Sequence, residues 1–151
     1  MYWTTRSIRP NAYQKSKNPL NADGYFSRKQ CLLNYDRVLG VDVVAIAEGP
    51  FDVMAHKHAV GLMGKIASHE QIGLICSLAE FGTREFVVSL DSDTTEYAER
   101  IYRALSGRVP LVTVLELDHG DPDDRRDELP RLMRSRAPMT LLSRVRGRLR
   151  K

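Results

Sequence analysis

The sequence has few cysteines, no long apolar run and no cluster of soft metal ligands. Its two cysteines, Cys31 and Cys76, lie far apart and neither belongs to a CxxC pair, so they can build neither a disulfide framework nor a zinc ribbon. The N-terminus lacks the apolar core of a signal peptide, and no apolar stretch approaches the length of a membrane span. We therefore expect a soluble, intracellular protein with reduced thiols.

Charge is abundant, and its two signs are segregated along the chain. Residues 1–40 contain seven Lys and Arg against two Asp and Glu, residues 41–124 six against fifteen, and residues 125–151 ten against two. Basic ends suit a polyanion such as nucleic acid, and an acidic centre suits divalent cations. The pattern predicts a protein that brings a metal ion and a polyanion together.

Strand patterns alternate with helix patterns through the acidic centre. The bounded, β-branched run Val43–Ala47 indicates a buried strand, and similar runs at 60–64, 85–91 and 110–118 indicate three more. Helical spacing of apolar residues fills the three gaps between these runs. The order β-α-β-α-β-α-β predicts an α/β fold with a mainly parallel four-stranded sheet flanked by helices.

Local signals mark where the helices begin. Pro50 fits the first position of a helix, "SHEQ" at residues 68–71 matches a capping box, and Asp93 with Glu96 forms a second candidate cap. The N-terminal segment is irregular, with a turn signal at residues 23–24 that suggests a short hairpin. The C-terminal segment has a thin apolar stripe among arginines and is either a basic amphipathic helix or a disordered tail.

Carboxylates follow the ends of the predicted strands. Glu48 ends the first strand, Asp91 the third and Asp118 the fourth, while Asp93 follows Asp91 by two residues and Asp52 lies early in the first helix. Sites in open α/β sheets form beyond the carboxyl ends of strands. Crowded carboxylates repel one another unless a cation lies between them, and Mg²⁺ prefers oxygen ligands. The sequence therefore predicts a magnesium site at this edge.

Each carboxylate also has a simpler explanation when it is taken alone. Asp93 could be a helix cap, Asp52 could complement the positive end of its helix, and Glu48 could be solvated. The acidic loop that contains Asp121 and Asp123 is either a further part of the site or an ordinary acidic turn. The combination E-G-P-F-D followed by D-x-D on separate strands favours the metal site.

The two motifs "AIAEGPFDVM" and "VVSLDSDTTEYAERI" closely resemble the Toprim domain, which bacterial-type primases share with topoisomerases and some nucleases. The resemblance covers about residues 42–124 and is greatest to DnaG-type and phage primases. The segment "ELDHGDPDD" is also similar to the acidic loop of those primases. It implies Mg²⁺ or Mn²⁺ as cofactor, with Glu48, Asp91 and Asp93 as metal ligands. It also implies catalytic roles for Glu48 and Asp52, and candidate roles for Asp121 and Asp123.

The basic N-terminal segment is similar to the stretch that precedes Toprim in primases. Lys15 or Lys17, and Lys29, fall at roughly the positions of the primase pattern, and the resemblance implies that this basic stretch, which includes Arg28, helps to hold template and nucleotide. The resemblance implies three parts: a primase-core-like segment at 1–40, a Toprim domain at 41–124 and a basic helical tail at 125–151. The sequence has no zinc-binding module, and it lacks the GxxxxGK[ST] loop of a fused helicase.

We therefore expect a DNA primase that makes short RNA primers on single-stranded DNA from nucleoside triphosphates, in the cytoplasm of a bacterium or a phage-infected cell. The basic tail could also dock on a replicative helicase. Two alternatives stay open. The same carboxylates could activate water in a Toprim nuclease, or the chain could be a non-catalytic nucleic-acid-binding accessory protein of replication.

Overall fold

The computed structural model describes residues 27–139, together with the backbone of two short strands that pair antiparallel, β1 (Thr5–Arg6) and β2 (Ser16–Lys17). The turn signal at residues 23–24 and the predicted helix or tail over residues 140–151 lie outside the described residues. Among the described helices, none has the length and apolar character needed to cross a membrane.

A four-stranded parallel sheet forms the centre of the described chain. It consists of β3 (Val43–Ala47), β4 (Ala59–Gly61), β5 (Glu85–Val88) and β6 (Val112–Val114), in the spatial order β4-β3-β5-β6. Three of the four runs consist mostly of small or β-branched residues, and β5 adds Phe86 to two valines, so all four pack well on a sheet that is covered on both faces. The predicted α/β fold with a parallel sheet is confirmed.

The helices lie on both faces of this sheet. They are α1 (Pro50–Ala55), α2 (His69–Glu80), α3 (Thr95–Leu105) and the short α4 (Leu129–Leu132). The connection from β3 to β4 runs opposite to the two later ones, so right-handed crossovers place α1 on one face and α2 and α3 on the other. Alternate strand residues accordingly enter separate clusters: Val44 and Ile46 pack with α2 and α3, whereas Ala45 and Ala47 pack with α1.

The caps of α1 and α2 follow the sequence signals, but the cap of α3 does not. Pro50 begins α1, and the Ser68 hydroxyl accepts a hydrogen bond from the Gln71 amide at the start of α2. At α3 the N-cap residue is Thr94. The Thr94 amide and hydroxyl both donate to the Asp91 carbonyl, so the turn is closed one residue later than the sequence indicated.

Segments from both ends of the described chain pair with the edge strands of the sheet. Leu33 exchanges two backbone hydrogen bonds with Gly61 of β4, at 3.0 and 3.1 Å, and Ala137 exchanges two with Val114 of β6, at 2.9 and 3.3 Å. Both contacts are antiparallel bridges. The Arg136 guanidinium adds a two-pronged ion pair with Glu85 on β5, so residues 125–139 are held against the sheet.

Candidate metal centre

The candidate site lies where the carboxyl ends of β3, β5 and β6 meet. Glu48 follows β3 directly, Asp52 is on the first turn of α1, Asp91 is three residues beyond β5, and Asp121 is in the loop after β6. Because β3 and β5 are neighbours in the sheet, their ends present Glu48 and Asp91 at the same edge. The parallel topology therefore brings together carboxylates that are far apart in sequence.

Three of these carboxylates form a compact cluster. Asp52, Asp91 and Asp121 each offer an oxygen, and these oxygens all lie within 4.8 Å of one another. Asp52 is buried, and the other two are half-buried. Like charges at this spacing are unfavourable without a cation, and hard divalent cations take carboxylate oxygens as ligands. The geometry and the donor atoms suit one shared divalent cation.

Asp52 is fixed in place by the backbone around it. Its Oδ2 accepts a 2.9 Å hydrogen bond from the Gly49 amide, and a Cβ on Gly49 would lie only 3.2 Å from that oxygen. Burial raises the pKa of Asp52 to about 6, the hydrogen bond from Gly49 opposes this rise, and the nearby Asp91 and Asp121 carboxylates add to it. Gly49 and Asp52 of the EGxxD motif thus act as a unit.

Glu48 carries an unpaired buried oxygen. Within the described residues its Oε2 is buried and has no hydrogen-bond partner. Burial is the main cause that raises the pKa of Glu48 to about 7, and the Asp91 carboxylate contributes further. An unsatisfied buried acceptor costs roughly 1–3 kcal/mol, more if charged. A cation bound beside the cluster would supply the missing partner, so this oxygen also fits a metal site.

Asp93 lies apart from the compact cluster. Its side chain is 74% exposed, and it pairs with the Lys65 ammonium at 3.4 Å. Burial raises the pKa values of Glu48 and Asp91, and the positive charge of the nearby Lys65 partly offsets this rise. The structure therefore places a side-chain cation at the rim of the site, next to a predicted metal ligand. No spacing signal in the sequence pointed to Lys65.

The acidic loop after β6 contributes Asp121 and the backbone of Asp123. The Asp123 backbone lies near enough to the Asp52 carboxylate to lower its pKa slightly, while the Asp123 side chain pairs with Arg126 at 2.6 Å. The Ser92 amide donates to the Gly120 carbonyl at 3.0 Å, which ties the Asp91 loop to the acidic loop. The loop that the sequence left undecided is thus joined to the cluster.

Asp118 does not join the cluster. The strand β6 ends four residues before it, at Val114, and the Asp118 carboxylate is bound by a buried arginine. The Arg125 guanidinium donates to Asp118 and forms a two-pronged pair with Glu128 at 2.9 and 2.9 Å. The hydrogen bond from Arg125 lowers the pKa of Asp118 to about 2. The convergence of Asp118 predicted from sequence is not observed, and Arg125, whose role the sequence did not reveal, holds the base of the acidic loop.

The predicted basic residues are placed unequally. The Arg28 guanidinium donates to the Met63 carbonyl at 3.2 Å, and the next residue, Gly64, donates its amide to the Glu48 carbonyl. Arg28 therefore lies beside the segment that adjoins Glu48. The Lys29 side chain is exposed. Lys17 lies on β2, where only the backbone is described, and Lys15 lies outside the described residues.

Gln71, which the sequence marked only as part of a capping box, anchors the basic segment. Its side chain is almost fully buried, and its amide nitrogen lies 2.8 Å from the Leu62 carbonyl and 3.0 Å from the carbonyls of Arg28 and Cys31. One side chain on α2 thus joins the segment that contains Arg28 to the end of β4. It holds Arg28 on the side of the sheet where the carboxylates lie.

Comparison with known proteins gives structural matches alone. No protein-family model and no curated protein matches the sequence. The structure is similar to the Aquifex aeolicus primase, solved as its zinc-binding and RNA polymerase domains, with a TM-score of 0.72 and 18% identity over 91% of this chain and 37% of that one. It is also similar to the RNA polymerase domain of Mycobacterium tuberculosis primase DnaG, with a TM-score of 0.68 and 18% identity over 91% of this chain and 51% of that one.

This chain therefore spans about half or less of the length of the two primase structures it matches. Its parallel sheet and its flanking helices belong to a fold that both structures share over 91% of this chain. The chain has the fold of a Toprim-like primase core, and the resemblance found in its sequence is confirmed at the level of fold.

Proposed function

We propose that this chain is a metal-dependent nucleotidyltransferase that joins ribonucleotides into short primers on single-stranded DNA. The observation that carries the proposal is the carboxylate cluster of Asp52, Asp91 and Asp121, with the unpaired Glu48 oxygen beside it, on a primase-like fold. Both the donor set and the fold favour phosphoryl chemistry over simple binding, because a binding module has no need to bury an unpaired carboxylate oxygen.

Asp52, Asp91 and Asp121 would hold Mg²⁺ or Mn²⁺, with Glu48 or Asp93 available to complete the ligand shell. When bound, the cation supplies positive charge that polarises the reacting phosphate and stabilises the leaving group. For Asp93 this role requires release from Lys65, since the two side chains pair in the structure.

Glu48 is suited to accept the proton of the attacking 3′-hydroxyl. A general base works best when its pKa lies near the working pH, and burial raises the pKa of Glu48 to about 7. Within the described residues its buried Oε2 has no hydrogen-bond partner, so no protein donor competes for this carboxylate. We assign proton transfer to the Glu48 carboxylate, which leaves Asp93 to complete the ligand shell.

The basic residues would bind and orient the phosphates. Arg28 lies beside the segment that adjoins Glu48, and Lys29 follows it on the surface. Their charges, with Lys15 and Lys17 from the N-terminal segment, would contact the triphosphate or the template backbone. The basic tail over residues 125–151 would add sequence-independent affinity for DNA or a docking surface for a helicase.

Primer synthesis on single-stranded DNA with ribonucleotides and Mg²⁺ or Mn²⁺ tests the proposal. We expect oligonucleotide products from the unaltered chain. Asp91→Asn should reduce product formation at least about a hundredfold, because several kcal/mol of charge stabilisation would be lost. The matched control is Asp127→Asn, which changes an exposed carboxylate outside the cluster.

Two outcomes would contradict the assignment. Full activity in Asp91→Asn would exclude the cluster as the active site. Metal-dependent cleavage of labelled DNA or RNA in the absence of nucleotides, without primer synthesis, would identify the Toprim nuclease alternative.

A further inference from the structure

A cavity of about 210 Å³ opens between α2 and α3, at the rim of the candidate metal centre. Lys65, which pairs with Asp93 at that rim, also lines this cavity. The Lys65 side chain therefore borders both the cavity and the carboxylate site. The apolar part of the wall comes from α2, α3 and the segment before α2, through Ile66, Ala67, Ile72, Ile101 and Ala104.

The polar part of the wall is cationic. Lys65 lies on one side and Arg100 on the other, and the Arg100 guanidinium lies 5.6 Å from the centre of the Tyr97 ring. This distance is that of a cation–π contact, which keeps the guanidinium beside the aromatic ring at the wall. Ile66 is 66% exposed, so an apolar surface is left open to solvent between these charges.

These features define the chemistry of a ligand. A flat apolar ring fits the apolar wall beside Tyr97, and an anionic group suits the two cations. Typical pockets for whole organic ligands measure about 300–1,000 Å³, so a cavity of about 210 Å³ accommodates one part of such a ligand. A nucleotide has both parts: a base of suitable shape, and phosphates that would extend past Lys65 towards the carboxylates.

We infer that this cavity is the subsite for the base of a nucleoside triphosphate, with Lys65 and Arg100 as its phosphate contacts. The inference rests on the proposed function, because it names where the substrate of that reaction is held. It adds a binding role for the α2–α3 side of the sheet, which is separate from the basic segment around Arg28.

The test is equilibrium binding of ATP to the full chain, measured by calorimetry in EDTA so that no metal contributes. Arg100→Ala and Ala104→Phe should each weaken ATP binding by about tenfold, the first by removing a charge-assisted contact and the second by filling the cavity. Arg103→Ala, on the same helix but outside the cavity, should bind ATP as the unaltered chain does. Gly73→Phe is the control for added bulk, since a Cβ at Gly73 meets no atom within 4 Å.

Ligand fragments separate the two halves of the subsite. Adenosine and tripolyphosphate should each bind at least about tenfold more weakly than ATP, because each uses one half of the wall. Photolabelling with 8-azido-ATP should modify the peptide that contains Tyr97. A short oligothymidine, which represents the template, should not displace ATP in EDTA if the cavity binds the free nucleotide and not the template.

The inference is overturned if folded Arg100→Ala and Ala104→Phe bind ATP normally, if tripolyphosphate binds as tightly as ATP, or if oligothymidine displaces ATP. These results leave the proposed function standing, provided that Asp91→Asn still abolishes synthesis. Conversely, an active Asp91→Asn would overturn the proposed function, whereas the binding measured in EDTA does not depend on catalysis.

Discussion

At the scale of single residues, the site is dominated by carboxylates whose protons are hard to remove. Glu48 has a pKa of about 7 and Asp52 one of about 6, both raised mainly by burial. A group whose pKa is raised on folding stabilises the protein at low pH, and this contribution is lost as the pH rises through the raised value. The metal-free protein therefore carries an electrostatic strain at neutral pH that a divalent cation can relieve.

We predict that metal affinity and stability respond to pH in opposite directions. Mg²⁺ or Mn²⁺ must displace protons from Glu48 and Asp52, so its affinity should rise steeply between about pH 5.5 and 7.5. Without metal, the melting temperature should fall from about pH 4, where the unfolded carboxyls lose their protons, to about pH 7, by roughly 2–4 °C for each kcal/mol lost. Scanning calorimetry at several pH values, with Mg²⁺ and with EDTA, measures both effects. Glu48→Gln should flatten the metal-free profile, and a profile that Glu48→Gln leaves unchanged would contradict this assignment.

At the scale of elements, α2 is joined to the basic segment by Gln71. Its two amide hydrogens are shared among three backbone carbonyls, those of Arg28, Cys31 and Leu62, and its own oxygen accepts from the Ser68 amide at 3.0 Å. Backbone acceptors buried without partners are costly. The residue therefore helps to hold the Arg28 segment against the sheet, together with the Leu33–Gly61 bridge.

We predict that Gln71→Leu lowers the free energy of unfolding by roughly 1–3 kcal/mol, because it removes the donor for buried carbonyls at nearly constant volume. Urea denaturation of the full chain measures this loss. Glu80→Gln, at an exposed position of the same helix, should leave the stability within about 0.5 kcal/mol. Equal stability of Gln71→Leu and the unaltered chain would show that these hydrogen bonds contribute nothing net.

The acidic loop is a second element that depends on one residue. Arg125 joins Asp118 at the start of the loop to Glu128 just before α4, and so closes the segment that contains Asp121. Residues that orient metal ligands typically change metal affinity by about 10–100-fold when they are altered. The ligand geometry at Asp121 should therefore depend on Arg125.

We predict that Arg125→Ala weakens Mn²⁺ binding by about tenfold. Arg125→Lys should recover only part of the loss, because an ammonium cannot replace a two-pronged guanidinium pair. Titration calorimetry with Mn²⁺ measures both. Arg134→Ala removes an exposed arginine of the same C-terminal segment and serves as the control. If Arg125→Ala is destabilised yet binds Mn²⁺ normally, Arg125 supports the fold and not the site.

At the scale of the whole molecule, the topology was more predictable than the site. The runs around β3 and β5 are bounded and β-branched, so local pattern sufficed to place Glu48, Asp52 and Asp91 at one edge. Asp93 and Asp118 were harder to place, because Lys65 and Arg125 bind them. Those partners are 28 and 7 residues away in sequence. Such pairings form only on folding, and no period or spacing in the sequence encodes them.

The segregated charge leads to a prediction for the whole chain. Residues 140–151 contain five Lys and Arg and no Asp or Glu. Each phosphate contact on single-stranded DNA adds about 0.7 to the dependence of log affinity on log salt. Replacing the five basic residues with Gln should therefore reduce that slope by up to about 3.5, as measured by fluorescence anisotropy at several salt concentrations. An unchanged slope would show that this tail does not contact DNA.

The bridges at Leu33 and Ala137 have a consequence for how the molecule meets other chains. A strand at the margin of a sheet normally offers unused amides and carbonyls, on which a foreign peptide or a second copy can add itself as a further strand. Here Gly61 and Val114, one on each outer strand, already exchange their hydrogen bonds with segments of the same chain. Strand addition from outside is blocked at both positions, so recognition of other molecules is directed to side chains and to the carboxyl end of the sheet.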